Sequence, residues 1–95
     1  VAGDPARYAD GRNMGWRLVW FDDGDERLID TFPVSREQIM RVHDLRIFDN
    51  GDDEWFAAGS YEVAAEHWPR LIEVLACPPP EAGRSYFIEG HATDL

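Results

Sequence analysis

Lysine is missing from this 95-residue chain, and cysteine occurs once, at Cys77. A single thiol excludes an intramolecular disulfide and a cysteine-based metal cluster, so Cys77 reads as a small structural side chain in a cytoplasmic protein. No apolar run approaches the roughly 20 residues that cross a bilayer. No basic segment followed by an apolar one opens the chain, so no signal peptide is read. The three histidines, His43, His67 and His91, make neither a His-x-x-x-His nor a His-Glu-x-x-His pair, which argues against zinc. Ser35 and Ser60 sit in no Gly-x-Ser-x-Gly elbow, and no glycine-rich phosphate loop is present. The expectation is a protein that is not an enzyme and carries no metal or cofactor.

What the chain has in excess is acid. Nineteen Asp plus Glu stand against nine basic residues, all Arg, for a net charge of −10. Such an imbalance repels itself on compaction, and it also repels nucleic-acid backbones and anionic membranes. It attracts a basic surface such as that of a nuclease, so the expected partner is a basic protein. A charged coat serving solubility is the bland alternative. Much of the acid, however, falls in Asp22-Asp23-Gly24-Asp25-Glu26 and in Asp49-Asn50-Gly51-Asp52-Asp53-Glu54, each beside aromatic residues. A coat would spread more evenly, so the placement favours a partner. Neither segment has the alternating carboxylates and twelfth-position Glu of a calcium loop. Nothing marks a carboxylate as buried, as paired acid catalysis requires.

Hydrophobic residues make up 44% of the chain, enough for one core in one domain. Residues 1–13 are polar and read as a flexible leader, with Met14 a candidate natural start of a single domain over 14–95. Residues 16–21 (WRLVWF) read as a strand, with Met14, Trp16, Leu18 and Trp20 on one face and Arg17, Val19 and Phe21 on the other. The Asp-Asp-Gly-Asp turn and a second strand over 27–32, ended by Pro33, complete a hairpin. Ser35 and Gln38 form a capping box for a helix, flanked by Val34 and Ile39 as a hydrophobic staple, and His43 lies on the packed stripe. Residues 55–63 (WFAAGSYEV) read as a third strand, in which Gly59 marks a bulge or a close backbone approach. Trp68-Pro69 opens a short helix, the run Cys77 to Pro80 stops it, and residues 85–89 (SYFIE) are the last strand. The fold class expected is α+β: a small, mainly antiparallel four-stranded sheet with one or two short helices on one face. Trp16 and Trp20 belong to the core. Trp55, next to the acidic loop, is the candidate for an exposed contact, or folds back over the sheet edge.

Three stretches resemble a known family. Met14-Gly15-Trp16-Arg17-Leu18-Val19-Trp20-Phe21-Asp22 resembles the opening of the cloacin immunity proteins, which begin Met-Gly and reach a Leu-x-Trp-Phe-Asp segment on their first strand. Residues 59–71 (GSYEVAAEHWPRL) are similar to the family's aromatic-acid-Val strand and the Trp-x-Pro-type segment after it. Ser85-Tyr86-Phe87-Ile88-Glu89 is similar to its closing Tyr-Phe-Val strand. The chain departs from the pattern in its capped helix and its Cys77–Pro80 run. The resemblance implies a curved antiparallel sheet that caps the basic cytotoxic domain of a ribosome-cleaving bacteriocin. It implies that Asp22, Asp23, Asp25, Glu26 and Asp30 of the first hairpin face the toxin, with Ser60 and Glu62 of the third strand. Gly59-Ser60 would sit on the partner-discriminating strand. The acidic loop adds Asp52, Asp53 and Glu54 to this partner-binding set, and Trp55 and Tyr61 supply aromatic anchors. Two other readings stand beside it: an acidic inhibitor that mimics nucleic acid, and an accessory binding domain.

Overall fold

The computed structural model describes residues 14–92; the leader expected over 1–13 and the last three residues lie outside them. Strand β1 (Met14–Asp22) sits inside a four-stranded antiparallel sheet of order β2-β1-β4-β3, between β2 (Leu28–Val34) and β4 (Arg84–Ala92). Strand β3 (Ser60–Glu62) is the far edge. Helix α1 (Arg36–Leu45) follows β2, and helix α2 (Trp68–Leu75) follows one turn of 3-10 helix at Ala65–His67. The α+β class and the helices on one face are as the sequence predicts.

Period-two alternation drives the layering. Trp16, Leu18 and Trp20 of β1 point into the core, where they meet Tyr86 and Ile88 of β4 and the buried stripes of both helices. Ile39 and Val42 come from α1; Trp68, Leu71, Val74 and Leu75 come from α2. The capping box forms as expected: Gln38 N–H donates to Ser35 Oγ at 3.1 Å and Ser35 N–H donates to Gln38 Oε1 at 2.8 Å. Gln38 does more than cap. Its Nε2 donates to the carbonyls of Val74 (3.4 Å) and Leu75 (3.3 Å), so the start of α1 satisfies backbone at the end of α2. Cys77 is buried, and burial pushes its thiol pKa up.

Two elements differ from expectation. The second strand runs through Pro33 to Val34, because β2 is an edge where a missing N–H costs no ladder bond on the outer side. The third strand is only Ser60–Glu62, not residues 55–63. The Asp53 carboxylate explains its shortness: it accepts the backbone N–H groups of Ala57 (2.8 Å), Ala58 (3.0 Å) and Gly59 (3.1 Å), which a strand would need for pairing. Phe56 takes a left-handed conformation (φ 55°), and Trp55 and Phe56 drop into the core. The close backbone approach expected at Gly59 occurs at Gly90. A Cβ there would lie 2.6 Å from the Phe56 carbonyl oxygen, where the loop crosses the sheet.

Candidate protein-binding face

The helices leave the other face of the sheet open. Register places Arg17, Val19 and Phe21 of β1 there, with Glu89, Phe87 and Ser85 opposite them on β4, and Ser60 and Glu62 on β3. Leu28 of β2 pairs with Phe21 and is 50% exposed. Val19, between Thr31 and Phe87, is nonetheless buried, so this face is packed and not merely wetted. Phe21 and Phe87 meet edge to face with ring centres 5.9 Å apart.

The hairpin acids are held beside that aromatic pair. Asp22 Oδ1 accepts the N–H groups of Gly24 (2.7 Å) and Asp25 (3.3 Å), an Asx turn. Glu26 is left-handed (φ 59°), and its N–H donates to the Asp22 carbonyl at 2.7 Å. The turn is tied to the start of β4: Asp23 N–H donates to the carbonyl of Gly83, just before the strand (3.0 Å), and Ser85 Oγ within it donates to Asp23 Oδ1 (2.5 Å). Phe21, Asp22, Asp23, Glu26, Ser85 and Phe87 together line an open concavity of about 530 Å³. Asp25 stands at the exposed tip, where its carboxylate takes the N–H of Arg27 (3.0 Å).

A second arrangement spans β1, β4 and β3 on the same face. Arg17 donates to Glu89 Oε1 through Nε (2.9 Å) and Nη2 (2.6 Å), while Ser60 Oγ donates to Glu89 Oε2 (2.7 Å). Burial alone would raise the Glu89 pKa. The hydrogen bonds from Ser60 and Arg17, with the charges of Arg17 and His91, outweigh burial and hold it below its ordinary value. Ser60 therefore orients a neighbouring carboxylate, and Glu62 stands exposed beside it.

The other expected site residues lie elsewhere. Asp30 pairs with Trp20 at the outer edge, and its Oδ1 accepts the N–H of Thr31 at 2.8 Å. The loop carrying Asp52, Asp53 and Glu54 packs on the helix side, so the two acidic segments do not share one surface. Trp55 corrects the expectation of an exposed anchor: it is 3% exposed, it stacks on His43 at 4.3 Å, and its carbonyl accepts from Trp16 Nε1 at 2.7 Å. The nearest carboxylate oxygen of Glu54 lies 3.7 Å from His43 Nε2. Tyr61 is on the core-side register of β3, and its hydroxyl donates to Asp53 at 2.5 Å. Burial would raise the Asp53 pKa, but Tyr61 and the three backbone N–H groups hold it below its ordinary value.

Sequence reasoning missed Arg17, Ser85, Phe87 and Glu89. The alternation that placed Phe21 outward also places Phe87 outward on β4, but pairing of Arg17 with Glu89 needs the β1–β4 register. Among the described residues, no group of three or more His, Cys, Asp or Glu is arranged to hold a metal ion. No helix among them is long and apolar enough to cross a membrane. Compared with known proteins, the chain matches no family model, no curated protein and no solved structure.

Proposed function

We propose that this chain is an immunity-type protein that binds a basic nuclease toxin domain on the open face of its sheet and neutralises it by non-covalent capping. The observation that carries the reading is the placement of Asp22, Asp23 and Glu26 beside the half-buried Phe21–Phe87 pair and the exposed Leu28. Carboxylates beside an apolar centre suit an interface in which charge sets the encounter and a few desolvated anchors set the lifetime. The net charge of −10 extends the attraction to long range. The resemblance of residues 14–22, 59–71 and 85–89 to cloacin immunity proteins supports the nature of the partner, a ribosome-cleaving domain. The proposal makes the chain a cytoplasmic binding protein without an activity of its own.

Ribosome cleavage by the cytotoxic domain of such a bacteriocin, with and without the chain, tests the reading. Full protection is expected, along with survival of cells that co-express the chain with that toxin domain. The association rate should fall steeply with salt, from the ~10⁸ M⁻¹s⁻¹ of steered pairs towards the ~10⁵–10⁶ M⁻¹s⁻¹ of neutral ones. Cleavage that continues at saturating chain, or a rate indifferent to salt, would overturn it. The nucleic-acid mimic reading needs rows of outward carboxylates; Asp53 turned inward onto backbone weakens it.

A further inference from the structure

We infer that the concavity between the hairpin and β4 is the socket for an arginine side chain of the basic partner; the inference rests on the partner reading above. Its floor is apolar, made by the edge-to-face rings of Phe21 and Phe87. Its wall is anionic, made by Asp22, Asp23 and Glu26. Asp22 and Asp23 each commit Oδ1 to holding the turn. Among the described residues neither their Oδ2 atoms nor the Glu26 carboxylate has a hydrogen-bond or ion-pair partner. The Asp22 and Asp23 acceptors are thus fixed in place before anything binds, and the exposed Glu26 carboxylate is free to close on the occupant.

The combination selects the occupant by charge complementarity. An apolar side chain would cover the rings but desolvate carboxylates without pairing them. A lysine ammonium would meet the carboxylates as a compact, strongly hydrated charge and, lacking a plane to stack, gain less from the rings. A guanidinium does both, because its plane stacks on an aromatic ring while its fork reaches two acceptors. The neighbouring β2 edge is a poor site for the competing mode, strand addition. Pro33 has no N–H and the N–H of Thr31 is taken by Asp30, so an added strand finds two of its donors missing there.

Titration of the ¹⁵N-labelled whole chain with N-acetyl-arginine methylamide, and separately with the lysine compound, tests the socket by NMR. Arginine should shift the amides of Phe21, Asp22, Asp23, Glu26, Ser85 and Phe87, and lysine should bind about tenfold more weakly. Phe87→Ala and Glu26→Gln should each weaken arginine binding by about tenfold; Glu26 is exposed, so its variant keeps the fold. Equal affinity for the two compounds, or shifts spread equally to Asp52 and Glu54, would overturn the inference. The two proposals fail separately. A chain that still protects ribosomes when Phe87→Ala and Glu26→Gln are combined loses the socket and keeps its toxin. One that takes up arginine by these criteria but protects nothing loses the toxin and keeps the socket.

Discussion

Asp53 shows how much depends on where a single carboxylate points. It holds three consecutive N–H groups and the Tyr61 hydroxyl, and so closes the loop that buries Trp55 and Phe56. Asp53→Asn keeps the shape but replaces an acceptor oxygen with a donor, and should cost about 2 kcal/mol by chemical denaturation. The pH dependence has a defined sign. The folded-state pKa of Asp53 lies below its ordinary 3.8, so its contribution is complete well above 3.8 and is lost as pH falls below that value. Glu89, depressed from 4.5, adds a loss of the same sign. Asp53→Asn should therefore flatten the acid limb of the stability curve, and an unchanged limb would remove Asp53 from this role. The sequence placed Asp53 in the partner-binding set because an acidic loop has the same composition whether its carboxylates face water or backbone. The spacing of four to six residues to its three N–H partners carries no sequence mark.

At the scale of elements, the signals that could be read were local. The Asp-Asp-Gly-Asp turn, the Ser35 capping box and the Trp68-Pro69 helix start each act within a few residues, and each appears where its own chemistry demands. Ser35→Ala should cost about 1 kcal/mol, the usual value for a lost N-cap. Gln38→Ala should cost more, because it also removes the donor to the α2 carbonyls of Val74 and Leu75; equal costs would show that this bridge adds nothing. Strand length was less legible. Residues 55–63 have strand composition throughout, yet a side chain outside the segment captures the N–H groups of its middle. The fate of Pro33 depended on whether its strand was central or at an edge, which only the sheet order settles. The face assignments of β1 were legible because alternation is a property of one strand. The socket was not, because it joins Phe21 to Phe87 across a register between residues far apart in the chain.

For the whole molecule, one quantity acts on stability and on association with opposite signs. The described residues extend over 39 × 29 × 23 Å. At about 0.01 M salt the screening length is ~30 Å, so most of the surplus acids feel one another across the fold; at about 0.15 M it is ~8 Å, and only neighbours do. The compact state therefore carries more self-repulsion than the expanded chain at low salt. Exposed ion pairs such as Arg27 with Asp25, 3.9 Å apart, offset little of it. Adding sodium chloride over this range should raise the melting temperature by a few degrees, since about 1 kcal/mol corresponds to ~4–8 °C in a domain of this size. The same addition weakens the attraction to a basic partner and slows association. A scan of melting temperature and association rate in matched buffers should give curves of opposite slope. If the melting temperature falls with salt instead, local ion pairs such as Arg17–Glu89 outweigh the net charge. The acidity then stabilises the fold through pairing and is no longer a cost borne for recognition.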